Sequence, residues 1–267
     1  MFPPKNNMMA SNRPTSLLQI NAHVWIREQQ WINLEHPDLA DIPDAVIRDW
    51  VAVGFDMVWF LGVWTKGQAT RDICLAHPDL RNVFEKALPG FQPEHVLGSP
   101  FSVASYTISP ALGNETTLAR LREKLNAHGI RLMLDFVPNH LAVDHPWTVE
   151  HPDWFVNGTE HDMQQRPGDY FHVPGHPDII LAHGRDPYFP GWTDTAQINI
   201  MCLAMRQAMI DELLKIAALC DAMRCDMAML ITNTVFQRTW GTDTNLPEFW
   251  PESIGAVKAQ YPDFIFA

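Results

Sequence analysis

Short apolar runs rich in strand-forming residues alternate along this chain with helical patterns, and this alternation restricts the fold most. Residues 17–25 (LLQINAHVW) read as a first buried strand. Pro43 opens a helical pattern with Val46, Ile47, Trp50 and Val51 on its apolar side, and Gly54 stands where such a helix stops. Residues 55–61 (FDMVWFL) form a second strand. Asn114 caps a helix carrying Leu118, Leu121 and Leu125, Gly129 ends it, and residues 130–137 (IRLMLDFV) make a third strand. A long helix through Met205, Met209, Leu213, Ile216 and Ala217 leads to residues 221–227 (DAMRCDM), the fourth. A weaker helical pattern over 247–260 precedes Phe264, Ile265 and Phe266, the opening of a fifth. Strands separated by helices pair in parallel through right-handed crossovers, so the expected class is α/β.

The chain has 267 residues, of which 46% are apolar and only 19% charged, with 10 Trp and 14 Phe. That composition builds a core and excludes a disordered or coiled-coil chain. Lysine plus arginine total 19 against 31 acidic residues, a formal charge of −12, and no basic cluster occurs, so nucleic acid is not an expected partner. No apolar run approaches the ~18 residues of a membrane span. The N-terminal segment lacks a signal-peptide core, and the expected compartment is cytoplasmic. Cys74, Cys202, Cys220 and Cys225 form no CxxC pair and read as buried free thiols.

Two long connections interrupt the alternation. Residues 62–113 follow the second strand, with a helix expected near 78–87. Residues 141–195 are rich in Pro, Gly, His and Asp, but their aromatic side chains favour a folded excursion. The expected division is a flexible lead-in (1–16), a first part of a barrel (17–140), an excursion subdomain (141–195) and the barrel continued (196–267). In the excursion, Trp147, Trp154 and Trp192 are candidates for stacking against a ligand, whereas Asp144, Asp153, Asp162 and Asp169 read as solvated loop charges. His172 and His176 have the spacing of a helical metal pair, but Pro174 and Gly175 between them forbid the helix. A metal-dependent hydrolase built on the clustered histidines is therefore disfavoured.

Two strand ends carry the chemistry. The third ends in Asp135-Phe136-Val137-Pro138-Asn139-His140, where Pro138 stops the ladder and presents Asn139 and His140 at the strand mouth. The fourth contains Arg224-Cys225-Asp226; residues two apart share a strand face, and a guanidinium beside a carboxylate favours its ionised, nucleophilic form. A purely structural ion pair has the same spacing.

Taken together, DFVPNH and MRCDMA resemble two motifs of the α-amylase family, glycoside hydrolase family 13. LLQINAHVW, GFDMVWFLGVW, SPFSVASYTISPALG and Gln197-Ile198-Asn199 resemble further family segments in the same order, from Leu17 to Ala267. The resemblance implies a (β/α)8 TIM barrel, here incomplete at about its first five strands, and a retaining mechanism on α-glucosidic bonds through a glycosyl-aspartate. Asp226 matches the nucleophile and Arg224 the arginine that orients it. His140 matches a sugar-binding histidine, and Phe101 an aromatic that stacks on sugar, where Tyr is usual. Asp135 matches the motif's opening aspartate, mostly architectural. Asn139 matches a residue that helps bind structural calcium in many relatives; no cofactor is otherwise implied. Ala222 stands where the family often has Gly, and Ser102, Ser105 and Ser109 where it often has Asp.

In this family the general-acid glutamate ends the fifth strand and another aspartate follows the seventh. Residues 261–267 (YPDFIFA) resemble the fifth strand, so the chain reads as cut just before its acid. The length fits the roughly 250 residues of a whole barrel, but the two insertions take up what the missing strands need. The expected function is that of an α-glucan hydrolase or transglycosidase acting on maltooligosaccharides, with this piece inactive alone and inclined to self-associate through open sheet edges. The alternative is a catalytically dead relative serving as a carbohydrate-binding or assembly module.

Overall fold

A parallel sheet of five strands, in the order Leu17–Asn21, Met57–Leu61, Arg131–Phe136, Ala222–Cys225 and Ile265–Phe266, organises the computed structural model, which describes residues 15–28 and 38–267. The lead-in expected over 1–16 lies outside the described residues except for Thr15 and Ser16. Strand β1 (Leu17–Asn21) passes directly into helix α1 (Ala22–Glu28). The strand expected over 17–25 is thus shorter: the Asn21 side-chain oxygen accepts the Val24 N–H at 3.2 Å, an Asn cap that begins the helix. Helix α2 (Asp44–Val53) follows and ends at Gly54, whose φ of 102° suits a residue without a Cβ. Strand β2 (Met57–Leu61) comes next.

The connection after β2 is more structured than its sequence suggests. It holds β3 (Trp64–Lys66), α3 (Gln68–Ala76), α4 (Pro78–Ala87) and β4 (Val103–Ile108), with β3 and β4 paired antiparallel. Only α4 is legible in advance, because Pro78 marks its first turn. Helix α5 (Thr117–Ala127) starts three residues after Asn114, whose side-chain oxygen accepts the Thr116 N–H and hydroxyl just before it.

Strand β5 (Arg131–Phe136) leads to β6 (His140–Ala142), α6 (Trp147–Glu150), α7 (Glu160–Gln165), and the antiparallel pair β7 (Tyr170–Val173) and β8 (His176–Ala182). Strand β9 (Thr195–Gln197) then returns to pair antiparallel with β6. The last elements are α8 (Leu203–Leu219), β10 (Ala222–Cys225), α9 (Asn233–Trp240), α10 (Phe249–Gln260) and β11 (Ile265–Phe266).

Both faces of the sheet are covered. On one, Val58, Phe60, Leu132 and Leu134 pack with Leu118, Leu121 and Leu125 of α5 and Met209 and Leu213 of α8, all essentially buried. Each such side chain contributes roughly 1.5–3 kcal/mol by leaving water. On the other face Met57, Trp59, Met133 and Ala222 form a smaller cluster. Period-two alternation thus directs Trp59, Asp135 and Arg224 to that second face. No helix among the described residues is long and apolar enough to cross a membrane.

Candidate active site

Arg224 and Asp135 are register partners on adjacent strands β10 and β5, at their C-terminal ends. Asp135 is fully buried. Trp59 Nε1 donates to its Oδ1 at 2.9 Å and the Gly62 N–H to its Oδ2 at 2.8 Å, so both oxygens face protein. Burial pushes its carboxyl up to about 7, against the opposing pull of the Gly62 and Trp59 donors and of Arg224; the Asp226 charge adds to the rise.

Asp226 stands one residue beyond β10, its N–H donating to the Phe136 carbonyl at 2.8 Å. The strand expected over 221–227 stops earlier because the chain turns here: Met227 has a φ of 50°, a left-handed conformation no other described non-glycine residue adopts. Arg224 Nη1 donates to Asp226 Oδ1, an ion pair. The guanidinium also lies over the Trp59 ring at 5.2 Å and the Phe101 ring at 5.0 Å, contacts that hold a cation in place. Burial raises the Asp226 carboxyl above its ordinary value even though Arg224 pulls it down by charge and hydrogen bond. The depression expected from the guanidinium is present but outweighed by desolvation.

His140 is buried on β6, with the Trp192 ring 5.1 Å away. Burial lowers its pKa to about 4, only partly offset by a hydrogen bond to the Phe101 backbone. At neutral pH it is an uncharged imidazole. Asp135, Arg224, Asp226 and Phe101 are thus gathered at the strand mouths, and His140 joins them through the Phe101 backbone.

Asn139 serves differently. Its side-chain oxygen and backbone carbonyl both accept from Gln197 Nε2, at 3.1 and 2.9 Å, and its amide nitrogen approaches Gln197 Oε1 at 3.3 Å. No group of three or more His, Cys, Asp or Glu converges among the described residues. An amide closed on another amide, without converging carboxylates, does not fit a calcium ion, which takes six to eight oxygens.

Of the excursion's tryptophans, Trp192 reaches the site, while Trp147 and Trp154 pack on each other at 5.2 Å and on His145 and His151. Asp169 is not a solvated charge: it is buried and paired with Arg185 at 2.7 Å. Asp144 likewise turns inward, accepting the Ala69 N–H at 2.9 Å. Ser102 is fully buried and ties its loop to the excursion through a 2.7 Å bond to the Asp194 carbonyl.

Two site residues escape the sequence reading. Trp59 looks like one more apolar residue of a buried strand, and only its alternation with Met57 hints at the face it shares with Asp135. The Tyr106 hydroxyl accepts from Val137 N at 3.0 Å and donates to Val137 O at 3.2 Å, fixing the chain just after β5. No local pattern signals that role.

Known proteins resemble this chain in sequence and in fold. Residues 99–194 match the family described as alpha-amylase, catalytic domain. The alpha-1,4-glucan:maltose-1-phosphate maltosyltransferase of Cereibacter sphaeroides is 27% identical over 228 residues, covering 82% of this chain and 30% of that protein. An alpha-amylase from Lactobacillus plantarum superposes with a TM-score of 0.59 at 20% identity, over 94% of this chain and 44% of its own. The trehalose-6-phosphate hydrolase of Bacillus licheniformis gives 0.65 at 14% identity, over 94% and 43%. At those identities the structural likeness is one of fold. The chain spans less than a third of that maltosyltransferase and less than half of each solved structure. The family match over residues 99–194, the curated relatives and the fold point the same way: this chain is similar to proteins of the alpha-amylase family.

Proposed function

We propose that this chain supplies the nucleophile side of a retaining α-glucan-active site, with Asp226 attacking the anomeric carbon of a maltooligosaccharide to form a glycosyl-aspartate. The Arg224–Asp226 ion pair beside Phe101 carries the proposal, because it presents an anchored carboxylate at a strand mouth. In this reading Arg224 holds Asp226 and opposes, by charge and hydrogen bond, the rise that burial imposes on its carboxyl. His140, a neutral imidazole, donates to or accepts from sugar hydroxyls; Phe101 offers a ring to the sugar face, and Asp135 supports Arg224 from below. The five parallel strands are the first five of an eight-stranded barrel, and the segment between β5 and α8 is the family's excursion.

A retaining mechanism needs a second carboxyl about 5 Å from the nucleophile to protonate the leaving group. Asp135 does not serve, since it is sealed from solvent with both oxygens engaged. These residues alone are accordingly not expected to hydrolyse unactivated α-glucans, a role the rest of the family site would complete. The maltosyltransferase and hydrolases among the similar proteins support transfer and hydrolysis alike.

An activated donor tests the nucleophile separately, because fluoride leaves without proton donation. Incubation with 5-fluoro-α-glucosyl fluoride forms a C1–Oδ bond to Asp226 and releases fluoride, and the adduct is read by peptide mass spectrometry. A glycosylated Asp226 peptide, absent in Asp226→Asn, is the expected result. Maltooligosaccharide binding with no adduct points instead to a binding module. Robust starch hydrolysis by this chain would overturn its expected inactivity.

A further inference from the structure

A cavity of about 810 Å³, with Gly62 and Pro100 in its lining, lies among α1, α3, α4 and the loop before β4. One wall is apolar: Leu80 and Phe84 of α4, with Leu88 and Phe91 just beyond it. The other carries His23 and Arg27 of α1 and Lys66 at the end of β3. These three basic groups act on one another. Burial, then Arg27, pushes Lys66 down to about 8; burial, then Lys66, then Arg27, pushes His23 down to about 4.

Neither Lys66 nor Arg27 has an ion-pair partner among the described residues, and Glu28, the acid in the lining, pairs with neither. Several other partly buried cations are matched: Arg122 with Asp221, Arg185 with Asp169, Arg206 with Glu252, Arg224 with Asp226. In a chain of net charge −12, this cavity brings together two mutually repelling cations with no carboxylate paired to either among the described residues. An unpaired, partly desolvated charge costs free energy that a bound anion returns.

We propose that this cavity binds an amphipathic organic anion, with a carboxylate or phosphate head held by Lys66 and Arg27 and an aliphatic or aromatic body against α4. Lys66 and Arg27 supply charge-assisted donors, and neutral His23 supplies a further hydrogen bond. Phe84, Phe91 and their leucine neighbours exclude water from the body of the ligand. This site is independent of the glycosyl chemistry proposed for Asp226.

The test is calorimetric titration of the whole chain with octanoate, octyl phosphate and, as neutral control, octanol. Saturable binding of at least one anion is expected, weakened about tenfold in Lys66→Met by loss of a charge-assisted contact. Octanol binding should be unchanged by that substitution, and Lys66→Arg should restore the anion. Tighter binding of octyl phosphate identifies a phosphoryl head, and tighter binding of octanoate a carboxylate. Arg27→Gln, at an exposed position, gives the same direction of effect and decides the matter should Lys66→Met fail to fold. Octanol binding as tightly as both anions, anion binding indifferent to both substitutions, or no saturable binding would each overturn the site.

Discussion

The indole of Trp59 meets two charged residues at once: its N–H donates to Asp135 Oδ1 at 2.9 Å, and its ring lies 5.2 Å from the Arg224 guanidinium. One side chain on β2 thereby couples the carboxylate of β5 to the cation of β10. Trp59→Phe keeps a ring for Arg224 but removes the donor to a buried carboxylate. Stability should fall by about 1–3 kcal/mol, the usual cost of stranding a buried polar group, measured by urea unfolding. The Asp135 carboxyl should also titrate higher than about 7, followed by NMR. An unchanged midpoint and titration would show that the bond contributes nothing.

Asp226→Asn tests the opposite balance. Burial raises the Asp226 carboxyl despite Arg224, so the folded state resists its charge. The amide keeps a carbonyl for Arg224, whose partly exposed guanidinium retains its two aromatic contacts. We expect a stability change within about 1 kcal/mol, together with complete loss of the glycosyl adduct. Collapse of the fold in a thermal melt would mean the ion pair is structural.

Acid should weaken the protein above the ordinary range of carboxylate titration. His23, His140 and His145 are each pushed down to about 4, mainly by burial, and His183 moves in the same direction. A folded-state pKa below the unfolded value means the unfolded chain binds more protons in between. Stability is then full above about pH 6.5 and is lost as pH falls toward 4, by up to about 1.4 kcal/mol per pH unit for each histidine. Asp135 works the other way, gaining stability as pH falls from about 7, and the raised Asp226 carboxyl acts in the same sense, but two carboxyls oppose four imidazoles. Urea midpoints at pH 7.5 and 5.0 should differ accordingly, and His140→Gln should flatten the slope.

Strands β1 and β11 are the edges of the described sheet, and Leu17 on β1 is 41% exposed. Unpaired strand edges recruit other chains. Sedimentation velocity should show association that grows with concentration, reduced by Leu17→Lys. A monomer at all concentrations in both proteins would remove the edge as a contact.

Alternation of apolar runs with helical patterns was enough to read the parallel strands, because period two and period 3.6 are written locally. It also placed Asp135 and Arg224 at strand ends, and Gly54 and Pro78 marked helix boundaries through backbone chemistry alone. Short-range competition escaped it: the Asn21 cap converts the end of a supposed strand into α1, and the left-handed turn at Met227 stops β10 before Asp226.

Only the tertiary structure decided what each charge meets. Asp169 and Asp144 look like loop charges until folding buries them, and Asn139 looks like a metal ligand until Gln197, 58 residues away, closes on it. Burial likewise determined that desolvation outweighs Arg224 at Asp226, and folding placed Lys66 and Arg27 in one cavity with no carboxylate paired to either among the described residues. Residue order specifies which strands form, since that is a property of neighbours along the chain. The energy of a buried charge depends on neighbours in space, which folding alone brings together.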